Sequence, residues 1–291
     1  MVKRAERVGV GSGSVVPVSI WLNGDICDET VARISVFDHG LTVGDGVFET
    51  MKVTGGVPFA LTRHLRRLAQ SAAGLGLPAP DLDELSRGAY EVLEASGRPD
   101  RARMRITVTG GVSPLGSQRG DQPLTIVIAL APLNDWGATA PVAFVPWTRN
   151  ERGAMTGIKT TSYAENVRAL AYAAERGASE AIFANTRGDL CEGTGSNVFL
   201  VLDGELVTPP LSAGCLAGVT RALVLEWFGG AERDVPASAL AQATEAFLVS
   251  TTRNVQPVST VDGVALPAAP GPVTEKAAQV FAARAAQSPD P

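Results

Sequence analysis

The sequence predicts an α+β protein of two domains. Three observations predict it. Short alternating strands are joined by Asn-Gly and Asp-Gly turns, and amphipathic helices stand between groups of strands. A polar break, Asn134-Asp-Trp-Gly137, then separates two halves of similar size, each mixing both element types. The expected division is a flexible leader over 1–16, a small N-terminal domain over 17–133, a linker over 134–137 and a large C-terminal domain over 138–291.

In the first half, Val18–Leu22 reads as a strand and Asn23-Gly24 as its hairpin turn. Ile34–Phe37 leads into the polar, glycine-rich loop Asp38–Gly46. Val47–Val53 alternates as a strand does, with Thr54-Gly55-Gly56 as its turn. Leu61, Leu65, Leu68 and Ala72 recur at helical spacing and place Arg63, His64, Arg66 and Arg67 on or beside the polar side. A second helix is expected over about 81–95, and strands over 103–109 and 124–130. The Gly/Pro-rich loop 110–120 between those strands is long enough to suggest a functional role.

In the second half, Val142–Trp147 reads as a strand. Ser162 and Glu165 form a capping-box pattern that opens a helix to about Arg176, with Val167, Leu170, Ala171 and Ala174 as its apolar face. Strands follow at Glu180–Ala184, Asn197–Leu202 and Glu205–Thr208, the last two joined by Asp203-Gly204. Leu216–Thr220 opens a helix to about Phe228, and Ala246–Ser250 is a further strand.

Composition bounds the function. The chain has 291 residues, 45% hydrophobic and 19% charged, which is enough apolar material for a packed core. A net charge of −5 without a basic block argues against a nucleic-acid partner. No apolar run reaches the ~18 residues of a membrane span. The odd set Cys27, Cys191 and Cys215 lacks metal spacing and suggests reduced thiols in a cytoplasm. With only His39 and His64, no histidine-rich metal site is expected.

The chemistry concentrates around Lys159. It lies in Gly157-Ile-Lys-Thr-Thr-Ser-Tyr163, an apolar and hydroxylic stretch. Burial there would penalise the ammonium form, and a neutral amine can attack an aldehyde and hold it as a Schiff base. Gly218-Val219-Thr220 opens a helix, whose N–H groups and dipole favour a phosphate. Ser250-Thr251-Thr252 leaves a strand end and offers further donors. Glu192, among Gly, Thr and Ser residues, suits an anion that keeps a pyridine nitrogen protonated.

These residues stand within six ordered segments: Val43-Gly-Asp-Gly-Val-Phe-Glu49, Arg63-His-Leu-Arg-Arg-Leu68, Gly157-Ile-Lys159, Glu192-Gly-Thr-Gly-Ser-Asn197, Leu216-Ala-Gly-Val-Thr-Arg221 and Phe247-Leu-Val-Ser-Thr-Thr252. From Ile20 to about Gly263 the chain resembles the class IV aminotransferases, the fold-type-IV pyridoxal-phosphate enzymes. The resemblance implies pyridoxal 5'-phosphate as cofactor, a cleft between two domains and a homodimer. His39 and the 110–120 loop would reach toward a neighbour's site. It implies Lys159 as the Schiff-base lysine and proton shuttle, with Glu192 on the pyridinium nitrogen and Leu216 on the ring face. The phosphate would be held by Arg67, Gly218, Val219, Thr220, Ser250 and Thr251. Arg67 alone reads as a solvated helix arginine; the His-x-x-Arg spacing from His64, within the resemblance, gives it this role. His64 itself reads as structural.

Substrate residues are where the chain departs from the resemblance. D-amino acid transaminases carry a Tyr at the position of Leu41 and an Arg-x-His where this chain has Leu115-Gly116-Ser117. Arg105, with Arg103 on the same face by period two, is the candidate for the substrate carboxylate. His39 and Arg119 stand behind it. Tyr163 could reach a cofactor oxygen or pack in the core. The expected activity is transfer of an amino group from a D-amino acid, extending to R-configured primary amines, to a 2-oxo acid such as 2-oxoglutarate or pyruvate. The rival expectation is an aminodeoxychorismate lyase releasing 4-aminobenzoate and pyruvate, and behind it a branched-chain L-amino acid transaminase.

Overall fold

A computed structural model describes residues 19–291; the leader expected over 1–16 lies outside the described residues. The first sheet takes its strands from β1 (Ser19–Leu22), β2 (Asp25–Asp28), β3 (Gly46–Thr54), β4 (Val57–Pro58), β5 (Arg101–Thr109) and β6 (Thr125–Ala131), in the order β2-β1-β6-β5-β3-β4. Every pairing in it is antiparallel. The β1–β2 turn uses positive φ at both centre residues, 51° at Asn23 and 103° at Gly24, which is why Asn-Gly marks it. Three helices belong to this half: α1 (His39–Thr42), α2 (Leu61–Leu75) and α3 (Leu82–Ala95).

The expected apolar stripe of α2 is real. Leu61, Leu65, Leu68 and Ala72 are buried in one core with Val47, Met51 and Val53 of β3 and with Leu85, Ala89 and Val92 of α3. His64 departs from the expectation: it is buried against β3 rather than placed on the polar side, because a carboxylate waits for it there. Asp81 caps α3 by accepting from the N–H groups of Asp83 and Glu84. The start of α2 has no side-chain cap of its own. Asp290, near the other end of the chain, accepts from the Thr62 N–H at 2.9 Å instead.

Gly88 in α3 marks the tightest contact of this core. A Cβ there would stand 2.8 Å from Cε2 of Trp21 and 3.0 Å from Cδ1 of Ile128. The indole cannot retreat freely, since its Nε1 donates to Glu91 on the same helix at 2.8 Å. Gly88→Ala gains about 1 kcal/mol of helix propensity and loses about 1–3 kcal/mol to overpacking. The expected result is a net loss of stability and a lower thermal midpoint; an unchanged or raised midpoint would show that the indole yields.

The second sheet is built from β7 (Ala140–Arg149), β8 (Glu180–Asn185), β9 (Leu190–Gly193), β10 (Asn197–Leu202), β11 (Glu205–Thr208), β12 (Ala231–Glu232), β13 (Glu245–Ser250), β14 (Asn254–Val261) and β15 (Val264–Ala265). Its path is β12-β11-β10-β13-β14-β7-β8-β9, with β15 paired to β14. It is mixed: β14–β7, β7–β8 and β11–β12 run parallel. Helices α4 (Ala164–Ala174), α5 (Val219–Trp227), α6 (Ala239–Gln242) and α7 (Pro272–Gln287), with a short 3-10 turn at Leu211–Ala213, complete the half. Phe281 of α7 packs against Trp227 at the end of α5 and Phe59 after β4, closing the two halves on each other.

Two expectations for α4 fail. Ser162 and Glu165 form no capping box: Tyr163 is the cap position and bears no side-chain cap bond. The Ser162 hydroxyl donates to Gly44 O at 3.0 Å, and Glu165 pairs with Arg149. The buried face is also rotated from the expected one. Asn166, Ala169 and Ala173 are buried, while Val167 is 68% and Leu170 42% exposed. Short alanines let α4 lie close on β8, and the larger apolar side chains face outward along a cavity.

Candidate active site

The two sheets and the loops at their ends enclose a cavity of about 880 Å³. Lys159, Arg67, Glu192, Leu216, Gly218, Val219, Thr220, Ser250, Thr251 and Arg105 all line it. Lys159 enters from the stretch after β7. Its backbone is fixed by two bonds, with its N–H on the Ser71 hydroxyl of α2 at 3.2 Å and its carbonyl accepting from Phe48 N at 3.0 Å. The amine itself is lightly held. Nζ lies 4.4 Å from the centroid of the Phe48 ring and 3.4 Å from the Tyr163 hydroxyl. Phe48 and Tyr163 pack edge to face at 5.0 Å, so one aromatic corner positions the amine.

Glu192 comes from β9, whose alternation sends Cys191 into the core and Glu192 into the cavity. Oε2 accepts from the Leu216 N–H at 2.9 Å. Arg149 Nε approaches Oε1 to 3.4 Å, near enough for charge attraction but without hydrogen-bond alignment. Burial raises the affinity of this carboxyl for a proton; Arg149, the Leu216 N–H and Lys159 oppose that, and Glu180 adds to it. A buried carboxylate with one underused oxygen suits a protonated ring nitrogen. Cys191 is buried beside Ala169 and Phe183, and desolvation, with the Glu192 charge, pushes its thiol up, so it packs rather than reacts.

At the opposite end, α5 begins at Gly218 with no side-chain cap, so the first N–H groups of the helix are open to a ligand. Arg67 joins them from α2, with Nη1 donating to Ala217 O at 3.0 Å. Its other nitrogens make a fork onto Glu49 of β3, Nε to Oε1 at 2.8 Å and Nη2 to Oε2 at 2.7 Å. His64 Nδ1 shares Oε2 at 2.6 Å. Burial alone would push the Glu49 carboxyl up. The Arg67 charge and hydrogen bonds and the His64 hydrogen bond outweigh it and bring the group down to about 2. Thr251 Oγ1 is buried with no partner, an orphan that a phosphate oxygen would satisfy. Gly218 must be glycine, since a Cβ would fall 2.0 Å from Asn197 Oδ1. The donor set fits pyridoxal phosphate: helix N–H groups, hydroxyls and a fixed guanidinium at one end, a buried carboxylate at the other, an amine between.

Arg105 stands on the first sheet beside this amine. Its guanidinium carbon lies 3.6 Å from the Phe48 centroid, on a ring that also contacts Lys159. The other substrate candidates stand elsewhere. His39 is buried, bonded to Asp45 at 3.1 Å and Gly116 O at 3.0 Å. Arg119 forks onto Asp45 and donates to Leu75 O. Leu41 is 62% exposed. None of the three lines the cavity, because Asp45 gathers both cations into the structure of the loop.

Glu49, Arg149 and Phe48 are site residues that no role was expected for. Glu49 had a visible signal: it shares the buried face of β3 with Val47, Met51 and Val53, where an unpaired carboxylate would be costly. Arg149, at the end of a strand beside polar residues, has none. Among the described residues no group of His, Cys, Asp or Glu is arranged to hold a metal ion, and no helix is long and apolar enough to cross a membrane.

Comparison with known proteins agrees with this geometry. The family model for amino-transferase class IV matches residues 46–261. A putative branched-chain-amino-acid aminotransferase of Methanocaldococcus jannaschii is 33% identical over 256 residues, covering 84% of this chain and 88% of that protein. A D-alanine aminotransferase of Bacillus licheniformis is 30% identical over 273 residues, covering 89% and 94%. The crystal structure of a branched-chain aminotransferase from Thermoproteus uzoniensis with norvaline superposes with a TM-score of 0.83 at 31% identity, covering 91% of this chain and 94% of that one. A fixed lysine, a carboxylate and an uncapped helix start around one cavity of this fold, matched over most of the sequence, place the chain in the class IV aminotransferases, which work with pyridoxal phosphate.

Proposed function

We propose that this aminotransferase moves the amino group of a D-amino acid to a 2-oxo acid such as 2-oxoglutarate or pyruvate. The observation that carries an amino-acid substrate is Arg105, a guanidinium stacked on the ring that also touches Lys159. A carboxylate bound there holds its α-carbon next to the reactive amine. The D-configuration rests on the D-alanine aminotransferase relatives. A branched-chain L-amino acid is the second reading, favoured by the M. jannaschii relative and by Met155, Val167 and Leu170 on the cavity wall. The relatives named above are aminotransferases, and the lyase expectation finds no support among them.

Pyridoxal phosphate supplies an aldehyde carbon and a ring that takes up the electron pair left when the substrate carbon loses its proton. Lys159 is the residue that would hold that aldehyde, and its free amine would be placed to carry a proton away from the substrate carbon. Nζ has one long hydrogen bond, 3.4 Å to the Tyr163 hydroxyl, and rests over the Phe48 ring, so the amine is free to swing between the two tasks. Glu192 would face the ring nitrogen, and its negative charge, supported by Arg149, Lys159 and the Leu216 N–H, would keep that nitrogen protonated. Arg67 is held rigid by Glu49. With Gly218, Val219, Thr220, Ser250 and Thr251 it would hold the phosphate, which would keep the cofactor in place during substrate exchange. Leu216 lines the cavity where it would cover the ring face, and its N–H steadies Glu192.

The same reading includes a homodimer and a cytoplasmic setting. Val36, Leu41 and Leu115 are 69%, 62% and 73% exposed. The Asp38–Val112 bridge and the His39–Gly116 bond join their two segments, making apolar surface for a second copy to cover. Cys27, Cys191 and Cys215 are unpaired, in keeping with a reducing compartment.

The test is a half-reaction panel followed by cofactor absorbance, with D- and L-alanine, D- and L-leucine, and R- and S-amines. Conversion by D-alanine at least about tenfold faster than by L-alanine is the expected outcome. A preference for L-leucine would move the assignment to the second reading, and silence with amino acids of both hands would remove both.

A further inference from the structure

Glu192 and Asn197 flank one tight turn. β9 closes on Glu192-Gly193 and β10 opens on Asn197, with the Gly193 N–H donating to Ser196 O at 2.8 Å between them. The turn is anchored by Glu180, a buried carboxylate at the start of β8. Glu180 accepts from the Thr194 N–H at 3.1 Å, from the Thr194 hydroxyl and from the Ser196 hydroxyl at 3.0 Å. Arg253 balances its charge at 3.3 Å. Asn197 itself is buried and pairs with Val249 of β13. A turn fixed at so many points presents Glu192 and Asn197 at a set separation.

Those two side chains grip one peptide segment from both sides. Glu192 Oε2 takes the N–H of Leu216 at 2.9 Å, and Asn197 Nδ2 donates to the carbonyl of the same residue at 2.9 Å. Asn197 Oδ1 then lies against Gly218, where a Cβ would meet it at 2.0 Å. Gly218 has φ −65° and ψ 134°, a backbone that any L-residue adopts. The contact with Asn197, and not the backbone, demands glycine there. Three parts of the cofactor site ride on this segment. Leu216 lines the cavity, the Ala217 carbonyl accepts from Arg67 Nη1 at 3.0 Å, and Gly218 opens the uncapped start of α5.

Pyridoxal phosphate has two polar ends on one short, stiff frame. Both ends bind at full strength only where the protein holds their partners at the matching distance, and a site that must be ordered by its ligand loses affinity. We propose that Asn197 is a positioning residue that sets the span of the site. It holds the helix start that takes the phosphate at a fixed distance from the carboxylate that takes the ring nitrogen. The role rests on the cofactor placement given above and needs no contact with substrate. Without the Nδ2 bond, Leu216 keeps only its N–H tie to Glu192, and residues 216–218 can pivot about it. Each end of the site then survives, and their mutual distance is no longer fixed.

The test compares a two-ended ligand with its halves on the full-length chain freed of cofactor. The ligands are pyridoxal phosphate, pyridoxal, which lacks the phosphate, and inorganic phosphate. Asn197→Ala should bind pyridoxal phosphate about tenfold more weakly, as for one lost buried hydrogen bond in a site that its ligand must then order. Affinities for pyridoxal and for inorganic phosphate should change less than about twofold, since each half uses one end alone. Gly218→Ala strains the same contact from the other side and should also weaken pyridoxal phosphate more than its halves, which carries the test if Asn197→Ala does not fold. In the Asn197→Ala background Gly218→Ala should cost little, because the oxygen that its Cβ meets is gone. Equal losses for all three ligands, or none, overturn the proposal, and so does a Gly218→Ala cost that is the same in both backgrounds. Inorganic phosphate that fails to compete with pyridoxal phosphate on the parent removes the cofactor placement, and the span with it. Competition on the parent with equal losses in the variants leaves the placement standing and removes the span alone. No turnover is read, so the identity of the amino donor does not enter.

Discussion

Replacing Lys159 by alanine should lower amino transfer by at least about 10⁴-fold, the upper end for loss of a positioned proton carrier, because the same nitrogen also holds the cofactor. Nothing nearby can stand in. Tyr163 offers a hydroxyl, and Arg67 and Arg105 offer guanidiniums that stay protonated and cannot act as bases. The fold should survive, since the anchoring bonds at this position come from the backbone: N–H to Ser71 and carbonyl to Phe48 N. Truncation leaves both in place and removes only the amine. Lys159→Ala should therefore melt near the parent and lose the visible absorbance of lysine-linked cofactor. Cofactor held through the phosphate cradle should remain after gel filtration. A folded variant that keeps a tenth of the parent's activity would show that this amine is not the centre of the chemistry.

How much of this was legible in the chain depends on the range of the forces involved. Lys159, Glu192 and the α5 start are short segments whose local sequence sets their own geometry, and all line one cavity as expected. The strands that alternate strictly, such as β3 and β5, form where the pattern puts them. Tertiary competition hides the rest. Ser162 matches a capping box, yet the Gly44 carbonyl, from a loop 118 residues earlier, takes its hydroxyl. β14 contains Pro257, which argues against a central strand, and it is central nonetheless: the antiparallel pairing with β13 carries the strand through Pro257 while the ladder to β7 breaks register just after it. His39 and Arg119 carry the charge expected of substrate residues, but Asp45 sits between them and claims both. No spacing rule names a partner across such a distance, so the helix start and hydroxyls proposed for the phosphate were readable and the residues that hold Arg67 in place were not.

Glu49 is the residue on which that support converges, and its loss should have the largest effect on stability. Its two oxygens accept three hydrogen bonds, two from Arg67 and one from His64, in a site with no exposure to solvent. Glu49→Gln keeps the shape and removes the charge. Arg67, largely but not fully buried, is then left without a counter-ion, a change that costs up to about 3–5 kcal/mol for a broken buried pair. The pH dependence is set by the sign of the shift. The folded carboxyl titrates near 2, below its ordinary value of 4.5, so the unfolded chain takes up the proton first as pH falls. The contribution is complete above the unfolded value and drains away between the two. The displacement corresponds to about 3 kcal/mol, in line with the mutational figure. His64 acts in the same direction: burial lowers its proton affinity, the Arg67 and Lys159 charges add to that, and the Glu49 bond only partly offsets them. Urea unfolding of parent and Glu49→Gln at pH 7, 5, 4 and 3 should show a gap that is widest at neutral pH and narrows once pH drops below 4.5. The variant should also bind pyridoxal phosphate about tenfold or more weakly, because a guanidinium no longer held in its fork must be ordered by the phosphate itself. A gap that stays constant across this range would mean that Glu49 stabilises by shape and not by charge. Arg67 would then need another source for its rigidity than the carboxylate beneath it.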